Sequence, residues 1–335
     1  MDGLAKRNEM VLMAVIREYI KTAKAVSSKY LLNAGNFSLS SATLRNVMAG
    51  LEADGYLTHP HTSAGRVPTA KGYRFYVNAL SNKLSLGLVQ RRYIIDFFSA
   101  PAHADELLKR TSAFIAQITP YLGVVTRYHH RKLGLKHIDL IALENGQLLL
   151  LLITKGGEVF KERVSVSKYD FDLQSLEMLL NKHLAGLELS EITNKCKHLS
   201  ALGSFGSLFD EVSEKLIELL ESSQSVLYYD GLANLLNFPE FGRLKLLSSI
   251  LAALKDSHEI LSQFAADQDK DFNVAIGEEL NDSELKEVSL VAAPYYLNEV
   301  PAGSVAIMGP MRMDYERVIA TTECVAGNLT KAITK

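Results

Sequence analysis

Ser40-Ser41-Ala42-Thr43-Leu44-Arg45-Asn46-Val47-Met48 opens the stretch on which the reading of this chain turns. It continues with Tyr56-Leu57-Thr58-His59-Pro60-His61-Thr62-Ser63-Ala64-Gly65-Arg66-Val67-Pro68-Thr69 and closes on Lys71-Gly72-Tyr73-Arg74-Phe75-Tyr76-Val77. Ser40 is a good N-cap, and Gly55 suits the left-handed position just past a helix ending near Asp54. Leu44, Val47, Met48 and Leu51 recur at helical spacing as a core stripe. Ser41, Arg45 and Asn46 are left facing outward with Ala42 and Ala49, and Thr43 sits near the boundary. Tyr56 to His59 then alternates weakly like a strand, Val67 starts a return strand, and the loop between them is small, polar and carries Arg66 near its end. Pro68 ends this loop and Thr69 caps a further helix bearing Lys71 and Arg74. Tyr73, Phe75, Tyr76 and Val77 on that helix read as core. A capped helix followed by a ribbon is the order of a recognition helix and its wing.

The chemistry of the outward face suits a DNA duplex. Small side chains let a helix sink into the major groove, Arg can fork onto guanine O6 and N7, and Asn can pair with adenine N6 and N7. Direct readout is therefore expected from Ser41, Thr43, Arg45 and Asn46. Wing and backbone contacts are expected from His61, Thr62, Ser63, Arg66 and Lys71, with Arg66 reaching a minor groove. Two more helices precede this stretch. One runs from about Leu4 to Lys21 with Val11, Leu12, Val15 and Ile16 on its apolar face. A shorter one follows the N-cap Ser27 and stops at Gly35.

The charge distribution agrees. The 335 residues carry a formal net charge of −2. Residues 1–85 hold eleven Lys or Arg against five acids, so that segment is +6 and the rest −8. A basic module on an acidic body is what a phosphate-facing domain with a soluble partner domain looks like. With 47% hydrophobic and 22% charged residues the chain falls among ordinary globular proteins. Its apolar runs, Leu148 to Ile153 among them, are far too short to span a bilayer. The first twenty residues have no apolar signal core, and the two cysteines, Cys196 and Cys324, lie far apart; a reduced cytoplasm is the expected setting. His59-x-His61 lacks the third and fourth ligands that a zinc site needs, so no metal or other cofactor is expected. No phosphate loop, nucleophile elbow or paired-carboxylate arrangement points to an enzyme.

Behind the N-terminal module, a helical stretch from Lys83 to Ile118 is interrupted by Ala-Pro-Ala at 100–102, and Gly123 to Tyr128 reads as a strand. Residues 137–166 give three strands with two-residue connections at Asn145-Gly146 and Gly156-Gly157. The middle one is apolar at every position, which predicts cover on both faces. Three more strands, at 272–276, 288–292 and 304–308, precede a closing helix capped by Asp314. Glu278-Glu279 after Gly277 reads as a loop or cap element rather than an acid pair, because adjacent side chains diverge.

The Ser-Ala-Thr-Leu-Arg-Asn helix, the His-Pro-His-Thr-Ser-Ala-Gly-Arg-Val-Pro-Thr wing and the Gly-Tyr-Arg-Phe-Tyr-Val helix closely resemble the N-terminal domain of the HrcA family, heat-inducible transcription repressors of bacteria. Ile276-Gly277-Glu278-Glu279 and Gly303 to Pro310 with Arg312-Met313-Asp314-Tyr315 are similar to further family motifs. Departures are Leu44 for Ile, Leu280 for Asn and Met311 for Thr. The resemblance implies an α+β multidomain chain with an N-terminal winged helix-turn-helix over 1–82. It implies a GAF-like α/β domain over 83–134 and 225–335, and an inserted α+β dimerisation domain over 135–224. It further implies a homodimer that binds an inverted-repeat operator in double-stranded DNA. Such a repressor would silence chaperone operons, be kept active by the chaperonin and be released on heat stress. A ligand-gated regulator sensing a metabolite through the GAF-like domain is the alternative.

Overall fold

A computed structural model describes residues 4–34, 39–60, 65–80, 84–127, 134–143, 147–155, 157, 159–165, 172–201, 207–222, 226–242, 244–255, 271–297 and 299–334. Two compact units divide the chain. Met1–Thr126, Leu227–Tyr295 and Gly303–Lys335 form the larger; Arg127–Val226 and Tyr296–Ala302 form the smaller. Both mix helix and sheet, as an α+β fold requires.

The larger unit begins with α1 (Lys6–Thr22), α2 (Ser28–Ala34), α3 (Ser41–Ala53), the ribbon β1 (Leu57–Thr58) and β2 (Val67–Pro68), and α4 (Ala70–Ala79). Local chemistry sets each boundary. Ser27 Oγ accepts the Tyr30 N–H at 3.1 Å, Ser40 Oγ the Thr43 N–H at 3.1 Å, and Thr69 Oγ1 the Gly72 N–H at 3.1 Å. At the end of α3, Gly55 takes φ +77° and donates to Glu52 O at 2.9 Å, while Tyr56 donates to Leu51 O at 2.9 Å. These bonds satisfy carbonyls that the last turn would leave free, and only a left-handed residue closes them without strain. Leu44, Val47, Met48 and Leu51 bury the inner face of α3, with Val11, Leu12, Val15 and Ile16 buried on α1.

The rest of this unit holds α5 (Leu88–Phe97) and α6 (Ala104–Ile118), then a five-stranded sheet in the order β7-β3-β10-β9-β8. Its strands are β3 (Leu122–Arg127), β7 (Val226–Asp230), β8 (Asn273–Ile276), β9 (Val288–Leu297) and β10 (Val300–Pro310). Short α10 (Leu232–Leu235), α11 (Leu244–Lys255) and the closing α12 (Tyr315–Ile333) complete it. Leu122, Val124, Leu290, Ala306 and Met308 from the sheet share one core with Leu235, Phe241, Ile250 and Leu254. Asp314 caps α12 through the Arg317 N–H at 3.3 Å.

In the smaller unit, β4 (Leu135–Ala142), β5 (Gln147–Thr154) and β6 (Val159–Ser165) pair antiparallel, followed by α7 (Leu173–Leu184), α8 (Leu189–Ala201) and α9 (Ser207–Ser222). Leu148, Leu150 and Leu152 pack under these helices against Leu176, Leu180, Ile192 and Val212. The all-apolar run predicts cover on both faces, but the unit closes only one: Leu149, Leu151 and Ile153 stay half-buried. Two polar side chains of α7 occupy the free edge of β4. Asn181 Oδ1 and Glu177 Oε2 accept the Ile138 and Leu140 N–H groups at 2.9 and 3.0 Å, so that edge cannot template another strand.

A Cβ at Gly55 would meet nothing within 4 Å, so its substitution isolates backbone strain. Gly55→Ala should cost about 1–2 kcal/mol of stability. Gly55→Asn, which tolerates the left-handed region better, should recover part of that loss in urea unfolding followed by far-ultraviolet circular dichroism.

Candidate nucleic-acid interface

The outer face of α3 is free. Ala42, Arg45, Asn46, Ala49 and Gly50 are all exposed, and neither Arg45 nor Asn46 is engaged with another side chain among the described residues. The apolar stripe on the opposite face, buried against α1 and α2, fixes which way this surface points. One long cation and one amide thus stand between small residues, so little side-chain bulk would separate the helix from a groove. Ser41 and Thr43 are half-buried at the start of α3. Ser41 Oγ lies 3.3 Å from Ser28 Oγ at the start of α2, and Thr43 Oγ1 lies 2.9 Å from Ser40 Oγ. Two helix starts and four hydroxyls therefore gather at one end of α3. Free N–H groups and hydroxyls at such a place are suited to phosphate oxygens.

The ribbon is organised from its base. Val26 and Arg66 exchange backbone hydrogen bonds of 2.9 Å each way, pinning β2 to the segment before α2. A Cβ at Gly65 would sit 2.4 Å from the Val26 carbonyl, so the two backbones approach only because residue 65 has no side chain. Arg66 does not extend toward solvent. Its Nε donates to Glu52 Oε2 at 3.0 Å and an Nη lies 2.9 Å from the same oxygen, leaving the side chain 13% exposed. His59 Nε2 approaches the other oxygen, Glu52 Oε1, at 3.3 Å. Glu52 thus ties α3 to both strands of the ribbon. Lys71 is exposed, but its Nζ donates to Asp54 O at 2.8 Å and lies 4.4 Å from the centre of the Tyr56 ring. There a cation complements the carbonyl end of α3. The expected wing-tip contacts His61, Thr62 and Ser63 lie outside the described residues.

The structure therefore brings Ser41, Thr43, Arg45 and Asn46 onto one helix and places Arg66 and Lys71 in intramolecular contacts beside it. Glu52 is the residue that sequence reasoning missed. It directly follows Leu51, the last position of the apolar stripe, where a carboxylate reads as a solvated surface group. Elsewhere, His137, Asp139 and Glu177 hold donor atoms within 4.8 Å of one another, with His137 Nε2 3.1 Å from Asp139 Oδ1. Glu177 is already occupied on the β4 edge, so hydrogen bonding accounts for this group. No helix among the described residues is long and apolar enough to cross a membrane.

Known proteins give the site its context. The family described as the HrcA protein C terminal domain matches residues 105–319. The chain is similar to the heat-inducible transcription repressor HrcA of Nocardia farcinica, 36% identical over 94% of this chain and 93% of that one. The repressor of the same name from Carboxydothermus hydrogenoformans is 32% identical over 98% of both chains. That of Alkaliphilus metalliredigens is 35% identical over 95% of this chain and 94% of its own. A crystal structure of a hypothetical protein, 27% identical, superposes with a TM-score of 0.63 over 99% of both chains. Relatives this similar across nearly the full length, together with a family match that spans most of the body, lead to one conclusion: the chain belongs to the HrcA family.

Proposed function

We propose that this protein is a repressor of heat-shock genes that reads DNA through α3, using the first four helices and the ribbon as a winged helix-turn-helix. The observation that carries the reading is the unengaged Arg45–Asn46 face, set among small residues, in a chain whose relatives are named heat-inducible transcription repressors. Arg45 and Asn46 contact base edges. Ser41 and Thr43, with the N–H groups at the helix start, hold the backbone. His61, Thr62 and Ser63 supply wing contacts, and Lys71 joins them by leaving the Asp54 carbonyl. Arg66 works mainly from the base of the wing, and reaches DNA only by giving up Glu52.

In this reading the sheet of the larger unit is GAF-like, the smaller unit is the inserted dimerising domain, and the protein acts as a homodimer on an inverted repeat. Self-association is supported by apolar surface that each unit leaves open. Leu88, Val89, Tyr93 and Ile95 are exposed on α5, and Leu149, Leu151 and Ile153 form a half-buried ridge on β5. Two-fold symmetry in the protein calls for two-fold symmetry in the operator. The chaperonin as the partner that keeps the repressor active rests on the family resemblance. A second reading, metabolite control, is favoured by a groove of about 550 Å³ lined by Ala113, Gln117, Tyr229, Asp230 and Asn234. A ligand there would raise Tm in a metabolite screen and shift DNA affinity in step.

Arg45→Ala should weaken binding to a selected inverted-repeat duplex by about 1–3 kcal/mol, relax preference at one base position and leave stability unchanged. Equal losses on cognate and scrambled duplexes would contradict direct readout. Arg66→Ala should lower stability by about 1 kcal/mol, since the pair with Glu52 is partly exposed. Its affinity loss should be uniform across sequences, as titration at several salt concentrations would reveal.

A further inference from the structure

Arg74 belongs to α4, the helix that follows the ribbon, yet its side chain leaves the N-terminal module. Its Nε donates to Glu279 Oε1 at 2.8 Å, and one Nη donates both to Glu279 Oε2 and to the Val274 carbonyl at 2.7 Å. Glu279 is itself fixed: its Oε2 accepts the Ile276 N–H at 2.9 Å, which closes the turn after β8. The Gly-Glu-Glu motif is thus the cap element expected of it, and its second carboxylate has a further use: it receives an arginine from the DNA-reading module. A second carboxylate repeats the arrangement. Glu316, in the first turn of α12, accepts from Tyr76 Oη at 2.9 Å and from an Arg17 Nη at 3.1 Å. Between the two polar contacts, the Tyr73 and Tyr315 rings meet with centroids 5.9 Å apart.

Two arginines from the module thus meet two carboxylates from the body, across an apolar contact. A planar fork held by a carboxylate that is already oriented restricts rotation as well as distance. We propose that Arg74 and Glu279 are positioning residues that hold each DNA-reading module in one orientation on the body, so that a dimer presents its two α3 helices at a fixed separation. This rests on the dimeric, inverted-repeat reading above. With the modules fixed, engaging the second arm of a palindrome is an intramolecular step at high effective concentration. Freed modules spread over many orientations, and that gain falls.

The test uses the full chain and three probes: an inverted-repeat duplex selected by the wild-type protein from a randomised pool, a duplex carrying one arm, and the palindrome with its arms moved apart by half a helical turn. Arg74→Ala and Glu279→Gln are compared with wild type; the glutamine retains an acceptor for the Ile276 N–H. Both variants should bind the single arm within about twofold of wild type, because α3 is untouched. Both should lose at least about tenfold of the palindrome's advantage over one arm, and the penalty for misplaced arms should shrink. A pair that only stabilises the fold would lower affinity for one arm and for two arms alike, which would overturn the proposal. So would a palindrome advantage that survives intact in both variants, or palindrome affinity that rises. A wild-type chain with no preference for two arms over one would remove the dimeric reading itself, and the clasp's role with it.

Discussion

One ten-residue helix, α4, is asked to serve two cores at once, and the arrangement of the larger unit depends on that double duty. Thr69 starts it directly after the ribbon, so its position is set by the N-terminal module. Tyr73 and Tyr76, buried on it, then meet Tyr315 of the closing helix. Tyr73 is 1% exposed, and its hydroxyl finds no hydrogen-bond partner among the described residues. An orphaned buried hydroxyl costs about 1–3 kcal/mol, so the large aromatic contact area must outweigh it. Burial also pushes the Tyr76 phenol up to about 12, and it stays a neutral donor to Glu316 throughout the ordinary pH range. The contact is thus apolar at its centre and charged at its rim, which favours a single seating over a slippery one.

The proposed DNA surface follows the opposite rule. Where the junction with the body satisfies its charges, α3 leaves Arg45 and Asn46 unpaired among the described residues and surrounds them with alanine and glycine. Side chains kept free for a partner must be insulated from neighbours that would occupy them. Glu52 lies on the same helix and would be such a neighbour, but Arg66 and His59 already hold its two oxygens. The ribbon base therefore has an electrostatic consequence beyond shape: it neutralises the acid closest in sequence to the reading face.

What the sequence made legible was local. Ser27, Ser40 and Thr69 cap where hydroxyl residues before apolar periodicity said they would, and Gly55 takes the left-handed geometry expected past α3. The stripe of Leu44, Val47, Met48 and Leu51 is buried because a 3.6-residue period admits one inward face. The two contacts that give the module its setting were not legible. Glu52 and Arg66 are 14 positions apart, and Arg74 and Glu279 are 205 apart. Such pairs leave no periodic trace, since a charged residue reads as solvated until its partner is known. The apolar stretch of β5 was legible only in part: within the unit Leu148, Leu150 and Leu152 are buried while Leu149, Leu151 and Ile153 stay half-buried, and composition does not say what covers the second face.

The insertion of the smaller unit bears on how the chain comes to be assembled. In the five-stranded sheet, β3 lies between β7 and β10, yet β7 begins only at Val226 and β10 at Val300. An apolar strand, buried at Leu122, Val124 and Val125 when finished, is therefore made about a hundred residues before either of its neighbours exists. At ordinary ribosomal speeds, both of its edges stay open for roughly 5–20 s. During translation the apolar β3 is thus displayed without a sheet partner on either side until the whole inserted unit has been made.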